Sequence, residues 1–208
     1  MRSASSQQSA GAFAPAAVVV PALTTLAMLF LWASAVPADE PDTRDAYEYF
    51  FIQTFGDLPE EMETARDEGK LGMLLFFEAE YCPYCQYMLR KVLSQKRVQD
   101  WYRERFINIA VDIHGDVELT DFDGITLPSK VFAEHRRIYM TPAVSFLNLD
   151  GVEIYRHLGM VKTAEEFLLL GEYIEGEHYY DTEYEVFARK RGMQGEKGAL
   201  TTHKSQSE

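Results

Sequence analysis

The sequence predicts an α/β fold: a central mixed sheet flanked by helices, with an N-terminal helical extension in front of it. Three observations point there. Residues 71–77 form a short apolar run with glycine before it and charge after it, the pattern of a strand buried on both faces. Behind that run, Met88, Leu89, Val92 and Leu93 recur at helical spacing. Further on, Asp150-Gly151 separates two strand-like runs and is a strong hairpin signal.

Taken in order, residues 42–55 carry Tyr47, Phe50 and Phe51 and are expected to form a helix, and residues 59–68 a second, acidic one that Gly69 ends. After the strand at 71–77, one amphipathic helix is expected over residues 82–100, with Cys82 at its N-terminus. A second buried strand follows at 106–113, then a polar connection at 112–123 and a helix at 128–137. Residues 143–149 and 152–157 make the hairpin. Thr163 with Glu166 three residues later forms a capping box for a final helix running to about Gly176. From 189 onward the chain is polar and non-periodic and reads as a flexible tail.

At 208 residues the chain can bury one good core. Its 47% hydrophobic and 25% charged residues are ordinary globular composition, and a net charge of −13 repels phosphate backbones, so nucleic acid is excluded as a partner. The first forty residues resemble a targeting segment: Arg2 in a polar start, an apolar stretch over 12–32, then small residues at Ala33-Ser34-Ala35 and Val36-Pro37-Ala38. A signal peptide over 1–38 implies export to the periplasm or beyond. The competing reading is an uncleaved membrane anchor, because residues 16–36 approach the length that spans a bilayer. Pro15 and Pro21 would interrupt such a span. The segments are then 1–38 signal peptide, 39–68 helical extension, 69–188 main domain and 189–208 tail.

The chain has two cysteines, and they stand at Cys82 and Cys85. A pair this close cannot staple a long loop, which points to chemistry rather than architecture. Disulfide exchange needs one accessible cysteine of lowered pKa and a second within reach to resolve the mixed disulfide. In Cys82-Pro83-Tyr84-Cys85, a buried strand delivers Cys82 to a helix N-terminus, where free amides and the macrodipole favour a thiolate, and Cys85 follows one turn in. Half of a zinc site is the bland alternative, but His114, His135, His157, His178 and His203 show no paired spacing, and no metal site is expected. His114 in a polar turn and His157 at a strand end read as surface residues.

The segment Phe76-Phe77-Glu78-Ala79-Glu80-Tyr81-Cys82-Pro83-Tyr84-Cys85 resembles the active-site segment of the thioredoxin superfamily, and Met140-Thr141-Pro142-Ala143 resembles its cis-proline segment. The resemblance spans about residues 69–179 and is nearest to thioredoxin-related periplasmic proteins of the sulfur-oxidation type. It implies a thioredoxin fold over 69–188 and thiol-disulfide oxidoreductase activity with no cofactor beyond the redox-active Cys82-Cys85 pair. It also implies that Pro142 lies against the disulfide in cis and that the backbone of Thr141 pairs with an incoming substrate strand. An ordinary strand-start proline is the alternative. Many members carry a buried aspartate six residues before the first cysteine, where this chain has Phe76, and the usual lysine neighbour falls near Asn108. Glu78, on the same strand face, can serve as proton acceptor or be a solvated carboxylate beside Glu80. Tyr81 and Tyr84 flank the cysteines as a docking surface or as plain packing.

The expected function is therefore an exported oxidoreductase that reduces protein or small-molecule disulfides. It would be monomeric and supplied with electrons by a membrane thiol donor. A soft-metal module holding copper(I) on the same two thiolates is the alternative, and a redox-silent interaction domain a third.

Overall fold

The computed structural model describes residues 42–192, so the signal or anchor reading of 1–38 and most of the tail expected from 189 lie outside the described residues. Among the described residues no helix is long and apolar enough to cross a membrane. The chain runs α1 (Ala46–Tyr49), α2 (Leu58–Asp67), β1 (Gly72–Glu78), α3 (Pro83–Lys91), α4 (Lys96–Arg105), β2 (Phe106–Asp112), β3 (Glu118–Thr120), β4 (Thr126–Pro128) and α5 (Ser129–His135). It ends with β5 (Ala143–Asn148), β6 (Glu153–Leu158), α6 (Ala164–Glu175), a 3-10 turn and α7 (Tyr184–Lys190).

A four-stranded mixed sheet has the order β2-β1-β5-β6, with β1 parallel to β2 and antiparallel to β5. All seven residues of β1 are buried, as an unbroken apolar run requires of a central strand. Its side chains alternate between two cores. Leu74 and Phe76 face the core shared with α3, α4, α6 and α7, and Met73, Leu75 and Phe77 face the core capped by α2 and α5. Gly72 sits where a Cβ would collide with the carbonyl oxygen of Leu147, so only glycine lets β5 approach β1 there. At the hairpin, the Asn148 side-chain oxygen accepts from the N–H groups of Asp150 and Val152, and Gly151 takes φ +75°. Thr163 caps α6 by accepting the Glu166 N–H, while the Glu166 carboxylate accepts from Lys162, one residue before the cap.

Four expectations are corrected. Residues 42–55 form one helical turn, α1, capped by Asp45, and then run extended. Phe50 and Phe51 are both buried, so the aromatics are spent on docking against Phe76 and Phe167 rather than on one helical stripe. The helix expected over 82–100 is broken after Val92 into α3 and α4. The carbonyls freed there are taken by tertiary donors: Ser94 by the Arg44 N–H and Leu93 by the Gln99 side chain. The polar connection holds a small hairpin, β3 with β4. Finally, His157 is 3% exposed and lies under the Tyr184 ring of α7, because it shares the inward face of β6 with Tyr155.

Candidate active site

The site is assembled at the C-terminal ends of the parallel strands β1 and β2. Past Glu78 the chain turns, and the Cys82 N–H donates to the Ala79 carbonyl at 3.1 Å. Cys82 then takes extended backbone angles as the N-cap of α3, and Pro83 fills the first helical position, where its missing N–H costs nothing. The Cys82 sulfur accepts the Cys85 N–H at 3.1 Å. Cys82 and Cys85 are joined in a disulfide with a Cα–Cα distance of 5.2 Å. Cys82 is 8% exposed, and Cys85 is fully buried beneath it.

The Thr141-Pro142 peptide is cis. Pro142 is buried and its carbonyl accepts the Gly159 N–H at 2.9 Å, which fixes the segment between β5 and the end of β6. Thr141 is half-buried and stands two residues ahead of Ala143, where the pairing of β5 with β1 and β6 begins. A cleft of about 460 Å³ brings Thr141 together with Tyr81, Cys82, Pro83 and Tyr84. Tyr81 is 88% and Tyr84 60% exposed, so neither ring is core packing. Ala79, Glu80, Asp112 and His114 complete the wall, which gives the cleft two carboxylates. Asp112 was not among the residues singled out from the sequence. The signal was available, because a parallel pairing puts the end of the second strand beside Glu78.

Glu78 is not in the cleft wall. By alternation it continues the Leu74 and Phe76 face, the face that carries both cysteines, and it is 8% exposed. Tyr47 of α1 places its hydroxyl 2.8 Å from each carboxylate oxygen. Burial pushes the Glu78 carboxyl above the ordinary range, the Tyr47 hydrogen bond pulls it down, and the nearby charge of Asp112 pushes it up again. The Tyr47 phenol is raised in turn, first by burial and then by its bond to Glu78. Phe76, six residues before Cys82, is fully buried and packs on Phe51. Asn108 is buried and serves the N-terminal segment: its side-chain amide donates to Phe50 and its carbonyl accepts the Ile52 N–H.

A family model described as a thioredoxin-like domain matches residues 58–175. The chain belongs to the thioredoxin-like family. The matched segment starts at α2 and ends with α6, so Tyr47 and α1 precede it. Among solved structures, a thioredoxin-fold protein from Helicobacter pylori is 21% identical, with a TM-score of 0.52, and the match covers 73% of this chain and 92% of that one. A thioredoxin from Thermus thermophilus is 25% identical over 60% of this chain and 93% of its own, with a TM-score of 0.44. The oxidised C-terminal domain of DsbD from Neisseria meningitidis is 20% identical over 54% and 89%, with a TM-score of 0.40. Of these three, the first bears on the fold. A search among curated protein sequences finds no match.

Proposed function

We propose that this thiol-disulfide oxidoreductase of the thioredoxin-like family acts outside the cytoplasm as a reductant of protein or small-molecule disulfides, and that a membrane thiol donor restores its dithiol. The observation that carries the reading is the asymmetry of the pair: Cys82 faces the cleft and takes an amide hydrogen bond at a helix N-terminus, while Cys85 lies buried behind it. Such a bond favours the Cys82 thiolate. That thiolate attacks one sulfur of the substrate disulfide, the substrate S–S bond breaks, and the first substrate thiolate leaves and takes up a proton. Cys85 then gives its proton to Glu78 and attacks the Cys82 sulfur. The Cys82–Cys85 bond forms, the second substrate thiolate leaves, and it collects a proton. The protein dithiol is oxidised by two electrons and the substrate disulfide is reduced to two thiols.

In this reading Tyr81, Pro83 and Tyr84 form the docking wall, and the backbone of Thr141, beside Cys82 and ahead of the ladder, pairs with the substrate chain. Direction follows from charge: Glu80 and Asp112 line the cleft, and negative neighbours disfavour a thiolate, which makes the dithiol the better reductant. Reduction of insulin with dithiothreitol as electron source tests the chemistry. The wild type should precipitate insulin chains, Cys82→Ser should not, and Cys85→Ser should accumulate mixed disulfides in an exporting cell. Activity retained by Cys82→Ser, or trapping by that variant instead of Cys85→Ser, would overturn the roles given to the two thiols.

A further inference from the structure

We infer that Tyr47, delivered by the N-terminal segment, is a positioning residue that keeps Glu78 ionised so that it can accept the proton of the resolving thiol. The inference rests on the proton-acceptor reading of Glu78 and adds to it a residue from outside the matched family segment.

The geometry is specific. One phenolic O–H approaches both oxygens of a nearly buried carboxylate at 2.8 Å, an arrangement that fits the ionised group, whose two oxygens are equivalent acceptors. A carboxyl so buried, with Asp112 beside it across the parallel pairing, would otherwise drift toward its protonated form and lose its capacity to accept. The phenol opposes that drift. Tyr47 itself faces Asp45 on its own turn and Asp112 on β2, both acidic, so the opposing influence on Glu78 is the phenol's own hydrogen bond.

Tyr47 is not a ring that happens to lie nearby, because the segment that bears it is fastened on both sides. Ahead of it, the fully buried Gln99 of α4 accepts from the Arg44 guanidinium at 2.9 Å and donates to the Arg44 carbonyl at 3.1 Å. The Arg44 N–H in turn reaches the Ser94 carbonyl in the break between α3 and α4. Behind it, Phe50 and Phe51 enter the core, and Asn108 of β2 holds Phe50 and Ile52 by one bond each. Between these anchors Asp45 caps the single turn of α1 and sets the direction in which Tyr47 leaves it. The helix break and the buried amides of Gln99 and Asn108 thus share one consequence, a fixed phenol at the end of β1.

The test is the pH dependence of mixed-disulfide resolution, read as release of the second thiol from a fluorescence-quenched peptide disulfide in a single turnover of the full, reduced chain. In the wild type the rate should rise through the ionisation of Glu78. Tyr47→Phe keeps the ring against Phe51 and removes the hydroxyl, and should move that limb upward by about one pH unit, a tenfold loss of rate on its lower side. Glu78→Gln should abolish the limb, and Tyr47→Phe should then add nothing. A limb that stays in place in Tyr47→Phe but vanishes in Glu78→Gln overturns the inference and leaves the Glu78 reading standing. A limb unchanged in Glu78→Gln overturns both. Should Glu78→Gln fail to fold, carbon-13 titration of the Glu78 carboxyl decides: an upward shift in Tyr47→Phe supports the inference, and an unmoved titration overturns it.

Discussion

Substituting His157 with leucine should remove a large part of the acid sensitivity of the fold. The imidazole is buried on β6, its Nδ1 has no hydrogen-bond partner among the described residues, and burial pushes its pKa down to about 4 from an ordinary 6.5. The sign follows from proton counting. Between these values the unfolded chain holds a proton that the folded chain does not, so the contribution is complete above about pH 6.5 and is lost as pH falls toward 4. At about 1.36 kcal/mol per unit the whole gap amounts to roughly 3.4 kcal/mol, of which about 2.6 kcal/mol is gone by pH 4.5. The assay is urea unfolding at pH 7 and at pH 4.5 for wild type and His157→Leu. Carboxylates titrate alike in both proteins, so the difference of differences isolates the histidine. With a slope of about 1–3 kcal/mol per molar urea, the wild-type midpoint should fall by about 1 M more than that of the variant. Equal falls, within about 0.2 M at that slope, would refute the argument, because they would mean that the imidazolium finds an acceptor or water in the folded state.

The other predictions concern the thiols, the N-terminal segment and the cleft. In the reduced protein Cys82 should be alkylated faster than Cys85 and should titrate below the free-thiol value of about 8.5, and a faster Cys85 would reverse the assigned roles. Gln99→Leu leaves the carbonyls of Leu93 and Arg44 without their side-chain donor, at about 1–3 kcal/mol for each buried group, so thermal unfolding should come several degrees lower; an unchanged midpoint would mean that the segment is not fastened there. Glu80→Gln should accelerate reduction of glutathione disulfide, a net anion, by a few-fold more than reduction of a cationic peptide disulfide, as one exposed charge interaction is worth about 0.2–1 kcal/mol. Equal gains on both substrates would remove charge as the basis of selection.

The sheet was legible because its signals are local. The unbroken run at β1, the turn at Asp150-Gly151 and the cap at Thr163 each state their structure within a few residues. What stayed hidden depends on distant partners. The apolar stripe of Met88, Leu89, Val92 and Leu93 runs up to the α3–α4 break with no proline or glycine to mark it, and nothing local reveals that Arg44 and Gln99 take the carbonyls there. His157 reads as a strand-end residue until α7 is known to cover it, and α7 is a short segment near the end of the chain. At the site, the cysteines and Pro142 were visible as motifs. Asp112 could have been found from the parallel pairing of the first two strands, whereas Tyr47 could not, since it stands on a single helical turn whose place is set by distant partners.

If the acidic surroundings of Cys82 make this protein a reductant, equilibration with a glutathione redox buffer shows it directly. Glu80 and Asp112 share the cleft with Cys82 and should keep the potential well below that of strong oxidants. A potential at or below about −200 mV is the predicted result. One more oxidising than about −150 mV would place the protein near the strong oxidants at about −120 mV and exclude a reducing role.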